Sequence, residues 1–123
     1  DGKRRMDDRI EMPPGTVTIA PSVLTAIVRQ TALDHPSVLR LAPRVPRRRG
    51  KGDQAEGLRV LVADDETVAV DVHVIADPNA SLTDLGKVLQ TQIARALEHI
   101  AGVQVRSVNV FIDEIGFDAA PKN

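Results

Sequence analysis

The fold is decided by the second half of the chain, which reads GLRVLVADDETVAVDVHVIA (57–76), SLTDLGKVLQTQIARALEHIAG (81–102) and VQVRSVNVFIDEI (103–115). In the first segment valines alternate with other residues on both sides of the acidic turn Asp64-Asp65-Glu66, which predicts two antiparallel strands. The second segment predicts an amphipathic helix, with Gly102 as a left-handed helix end. Its apolar stripe consists of Leu82, Leu85, Leu89, Ile93, Leu97 and Ile100.

The third segment predicts a final strand whose apolar alternation slips by one position. Val103 and Val105 belong to one phase, and Val108 begins the other. A β-bulge near Arg106-Ser107 would keep both apolar sets on the same face of a sheet.

Upstream of this stretch the sequence predicts a strand, a helix and a second strand. Residues alternate between polar and apolar over Thr16–Ile19, Pro21 is typical of a first helical position, and Pro36 ends the helix. Val38–Leu41 predicts a further short strand. The following segment, Pro43–Glu56, is rich in proline, glycine and charge and predicts a loop.

The predicted order of elements is β-α-β-β-β-α-β. Because each helix has a single apolar stripe, we expect an α+β two-layer sandwich with both helices on one face of a mostly antiparallel sheet. One domain is expected over residues 15–117, with a charged lead-in at 1–14 and a short tail at 118–123.

Composition narrows the classes of partner. The formal net charge of −1 gives no overall attraction to nucleic acid or to an anionic membrane, so any charged partner must be recognised locally. The chain has no cysteine, which excludes disulfides, thiolate zinc sites and thiol catalysis. No apolar run is long enough to span a bilayer and the amino end lacks a signal-peptide core, so a cytoplasmic location is expected.

The residue types that catalysis requires do not group in the sequence. His35, His73 and His99 fall on three different elements without the spacing of a metal site. Asp71 and His73 share one strand face, an arrangement that is also typical of solvent-facing positions on a one-sided sheet. The sequence therefore predicts a non-enzymatic protein that needs no cofactor and has no small-molecule substrate.

One segment of the predicted loop is strongly basic. Its positive residues are Arg44, Arg47, Arg48, Arg49 and Lys51. Such a cluster is compatible with a solvated loop, with contact to an anionic lipid surface or an acidic protein, or with phosphates of nucleic acid. With no tyrosine or tryptophan in the chain, base stacking is poorly supported.

A second candidate surface lies on the sheet. If the valines of the strands point toward the helices, alternation places Leu61, Ile75 and Phe111 on the opposite face. Three large apolar side chains on neighbouring strands predict an interface patch for self-association or partner docking.

The chain also resembles a known family. The residues that carry the resemblance are Gly15-x-Val17-x-Ile19-Ala20, Val23-Leu24, Val70-Asp71-Val72-x-Val74, Val103-x-Val105, and Val108-Asn109-Val110-x-Ile112 with Phe117. Over Gly15–Phe117 this pattern is similar to the alkaline shock protein family of bacterial envelope-stress proteins, although the basic loop departs from the family pattern.

The resemblance implies a cytoplasmic, non-enzymatic protein. Peripheral association with the cell membrane is compatible with this location. It implies that the protein forms a homo-oligomer or docks on a membrane-anchored protein and supports the envelope under stress. A nucleic-acid-binding module that uses the basic residues between 44 and 51 is the alternative.

Overall fold

The computed structural model describes residues 15–43 and 52–117 of the chain. Two helices and five strands form the described part of the domain. In chain order they are α1 (Pro21–Leu33), β1 (Val38–Leu41), β2 (Gly52–Ala55), β3 (Leu58–Val62), β4 (Val68–Ala76), α2 (Leu82–Ala96) and β5 (Val105–Ile115). A π-helical turn, Leu97–Ala101, extends α2, and Gly102 ends it in the left-handed conformation that the sequence predicts.

The sheet is organised around β4. One edge of β4 pairs antiparallel with β3 along its first half and with β1 along its second half, and β2 continues the sheet beyond β3. The other edge of β4 pairs with β5 in parallel along its whole length. The α+β class, the predicted hairpin of β3 and β4 and the mostly antiparallel sheet are confirmed.

The core lies between the two helices and one face of the sheet. Alternate residues of β3 and β4, including Val60, Val70 and Val72, are fully buried against the helices. The stripe of α2 is buried from Leu85 to Leu97, whereas Ile100 is 71 % exposed. The π-helical turn holds more residues than an α-turn, so Ala101 rather than Ile100 packs against the core.

The predicted bulge in β5 is confirmed, and a second one follows it. The pairing of β5 with β4 shifts register opposite Val68/Ala69 and again opposite Val74/Ile75. Because of the first shift, Val105 and Val108 both lie on the core side of the strand.

Two elements differ from the sequence prediction. Residues 15–20 are not a strand, because alternation alone does not supply the hydrogen-bonded neighbour that a strand needs; only Ile19 packs on the core. Conversely, Gly52–Ala55 is a strand inside the predicted loop, since β3 provides it with a partner. No helix among the described residues has the length and apolarity to cross a bilayer.

Candidate interaction surface

The sheet face opposite the helices, called here the outer face, has a polar row across three strands. Arg59 on β3 forms an ion pair with Asp71 on β4, and the Nδ2 of Asn109 on β5 donates to the Oδ1 of Asp71 at 2.8 Å. Arg59 is only 4 % exposed, so this ion pair is buried rather than solvated. Asp71 therefore links β3 to β5 through side chains as well as through the backbone.

The next row holds an aromatic pair. The rings of His73 on β4 and Phe111 on β5 stack with centroids 4.4 Å apart and an interplanar angle of 14°. The Nδ1 of His73 lies 3.0 Å from the Oδ2 of Asp113. Asp71 and His73 share this face, as predicted, but each has its own partners.

The three apolar residues predicted on the outer face differ in exposure. Ile75 is only 2 % exposed and Leu61 is half-buried, whereas Phe111 is 42 % exposed. Of the three residues predicted to form an interface patch, Ile75 thus contributes almost no accessible surface; it pairs with Arg40 on β1 and with Glu114 on β5. On β5 the exposed residues of this face include Asn109, Phe111 and Asp113.

The outer edge of β5 has no strand partner among residues 15–43 and 52–117. The backbone of His73 bonds to Gly57 and Ala42, on the side of β3 and β1, so Val72 and Val74 turn their backbone groups toward β5. In a parallel pair the residues opposite them, Val110 and Ile112, then point their N–H and C=O groups away from the sheet.

The same geometry applies to Val108, which pairs with Val70. Its carbonyl accepts a hydrogen bond from Gln90 Nε2 at 3.2 Å, so a side chain of α2 covers one acceptor of this edge. The rest of the outward backbone groups of β5 form an open strand edge in the described structure.

A shallow cleft of about 520 Å³ lies at the end of the sandwich, between residues 16–24, the β3–β4 turn and the end of α2. Its apolar lining includes Ile19, Leu24 and Val103, with Asp64 and Glu66 at the turn. In the same turn, the hydroxyl and amide of Thr67 donate to Asp65 and hold the pKa of that carboxyl below its ordinary value. The acidic cluster thus has a structural role, because these hydrogen bonds stabilise the turn of the β3–β4 hairpin.

Comparison with known proteins identifies the family. A family model described as the alkaline shock protein 23 family, with a cell envelope-related function, matches residues 9–117. The chain belongs to the alkaline shock protein family. No curated protein and no solved structure gives a significant match.

For this alkaline shock family member, the sequence predicted the sheet face of the aromatic side chain but not its surroundings. The π-stacking of His73 on Phe111 depends on the parallel register of β4 and β5, which alternation within one strand does not reveal. Gln90 was missed as well, because an exposed glutamine on a helix has no sequence signal for an edge contact.

The remaining residues considered in the sequence are the candidate anion-binding residues and the residue types that bind metals. The candidate anion-binding residues Arg44, Arg47, Arg48, Arg49 and Lys51 lie outside the described residues. Within the described ranges, no three His, Asp or Glu side chains are grouped as a metal site requires.

Proposed function

We propose that this protein acts at the cell envelope by binding, without catalysis, as a cytoplasmic protein that self-associates or docks on a membrane-associated partner. The docking region is the β5 border, defined as the open edge of β5 together with Asn109, Phe111 and Asp113. Membership of a family with a cell envelope-related function supports the location.

The observation that carries the proposal is the position of Phe111. Phe111 is 42 % exposed, and its ring stacks on the ring of His73. An aromatic side chain that already packs on a neighbour in the free protein loses little conformational entropy when a partner covers it, which is why such groups are frequent anchors of interfaces. An open strand edge beside it supplies backbone donors and acceptors for the same partner.

The test uses a fluorescent fusion in cells and two matched substitutions. Phe111→Glu puts a charge into the proposed contact, and Val23→Glu puts one on α1, where Val23 is similarly exposed at 48 %. We expect a peripheral ring for the parent and for Val23→Glu, and a diffuse signal for Phe111→Glu. A diffuse parent, or a nucleoid pattern that favours the nucleic-acid alternative, would refute the proposal.

A further inference from the structure

We propose that the partner at the β5 border is a second copy of this chain, which pairs antiparallel with β5 around a two-fold axis at Val110. The inference rests on the proposed function for the choice of this border. It specifies the register, and with it the residues that meet.

The apolar positions of β5 are themselves symmetric about Val110. The residues that pair with the core-side positions of β4 are Val105, Val108, Val110, Ile112 and Ile115. They are spaced evenly about Val110, two and five residues away on each side. An antiparallel copy in this register therefore places Val108 opposite Ile112, and Val105 opposite Ile115, on the same face.

The two bulges obey the same symmetry. One lies between Val105 and Val108 and the other between Ile112 and Ile115. A single bulge would shift a straight partner strand out of register, since it adds one residue to one strand only. In the proposed pair each bulge faces the other bulge of the second copy, so the outward backbone groups remain aligned beyond both of them.

Hydrogen bonding is compatible with the same register. The backbone groups of Val108, Val110 and Ile112 point outward, as the pairing with β4 requires. In the two-fold arrangement Val110 meets Val110 of the second copy, and Val108 meets Ile112, as hydrogen-bonded pairs that each exchange two bonds. In the free monomer Gln90 covers the carbonyl of Val108 and so protects part of this edge. When the pair forms, Gln90 has to release that carbonyl.

Charges at the ends of the strand are complementary in this register. Arg106 lies opposite Glu114 of the second copy, and the two-fold axis generates the pair twice. Both residues are exposed in the single chain. Ser107 lies opposite Asp113, so no two like charges face each other along the strand.

The exposed aromatic side chain is also accounted for. Phe111 lies opposite Asn109 of the second copy and diagonal to the second Phe111, within the reach of aromatic side chains across a strand pair. Each Phe111 ring is already supported by its own His73. The contact joins one strand and a few side chains, so the area is small and we expect a dissociation constant on the order of micromolar.

The alternative is that charges and bulges merely protect a lone edge from association. Exchanging the charges at positions 106 and 114 distinguishes dimerisation from mere protection of the edge. Arg106→Glu gives a chain with acidic groups at both 106 and 114, and Glu114→Arg gives one with basic groups at both. On its own, each variant should dimerise with a dissociation constant at least about tenfold higher than that of the parent, because attractive cross-strand pairs become repulsive. An equimolar mixture of the two should recover the parental affinity as a heterodimer.

Sedimentation velocity at low salt, with the two variants carrying different fluorophores, measures both effects. Arg29→Glu on α1 is the matched control for charge reversal and should dimerise like the parent, and circular dichroism checks that each variant is folded. A parent that stays monomeric at protein concentrations several times the expected dissociation constant would overturn the pairing. So would variants that associate as well as the parent, or a mixture that gains nothing over its components.

The outcomes are distinguishable from those of the proposed function. A parent that is monomeric in solution but forms an envelope ring removes the pairing and leaves the function. A parent that dimerises in this register but is diffuse in cells keeps the pairing and removes the envelope role.

Discussion

At the scale of single residues, Asp71 has the most consequential position on the outer face. Its carboxylate is the acceptor for Arg59 on one side and for Asn109 on the other. Because Arg59 is buried, its charge needs compensation, and this carboxylate contributes to it. Asp71 is therefore a structural residue that fixes β3 and β5 relative to β4, and the candidate interface rests on it.

This position gives a stability prediction. Asp71→Ala should lower the free energy of unfolding by about 3 kcal/mol, because it removes the carboxylate of Asp71 from the buried guanidinium of Arg59. Urea denaturation measures the change. The control is Asp113→Ala, which removes the more exposed carboxylate beside His73 and should cost less than about 1 kcal/mol. Equal losses for the two variants would contradict the distinction between the buried and the exposed pair.

At the scale of elements, local patterns were reliable where neighbours in sequence are also neighbours in space. The β3–β4 hairpin, α1 and α2 follow from alternation and helical periodicity. Residues 16–19 have the alternation of a strand but no strand partner within 15–43 and 52–117, whereas Gly52–Ala55 lacks the pattern and pairs with β3. A strand is stabilised by its neighbour, so single-strand patterns miss both cases.

The turn between β2 and β3 yields a second prediction. Gly57 and Gly102 both have left-handed backbones, with φ of 72° and 70°. A Cβ on Gly57 would lie 2.7 Å from the Cβ of Leu41 and 2.9 Å from the carbonyl oxygen of Ala42, whereas one on Gly102 meets nothing within 4 Å. Alanine at either position costs about 1 kcal/mol for the backbone conformation alone.

Gly57→Ala should therefore be the more destabilising change, by a further 1–3 kcal/mol or so, because β1 must shift to accommodate the methyl group. Thermal or urea unfolding of the two variants side by side gives the comparison. If Gly102→Ala proves as harmful as Gly57→Ala, the close approach of the turn to β1 is not what constrains this glycine.

At the scale of the whole molecule, the parallel pairing of β4 with β5 positions the candidate site. It brings Phe111 beside His73 and leaves the full length of β5 at the border of the sheet. The sequence predicted which face Phe111 would occupy, since alternation fixes the face of each residue. It did not predict that Ile75 would be buried, because the pairing of β4 with both β1 and β5 at this position is not visible in the sequence of one strand.

The last prediction concerns the charge of the whole chain. Replacing Arg47, Arg48 and Arg49 by serine removes three positive charges and changes the formal net charge from −1 to −4. If these arginines bind phosphates, affinity for duplex RNA or for phosphatidylserine vesicles should fall. For a nucleic-acid duplex, the slope of log K against log salt should also become shallower by roughly 0.9 for each lost contact.

Fluorescence anisotropy and vesicle co-sedimentation across a salt series measure these changes, with Arg29→Ser on α1 as a single-charge control. The β5 pairing uses none of the three arginines, so the triple variant should dimerise like the parent. Loss of anion binding with dimerisation intact would assign the two properties to separate parts of the chain. A parent that binds neither RNA nor vesicles at low salt would leave the arginines as a solvated segment, and β5 as the surface on which the protein's role depends.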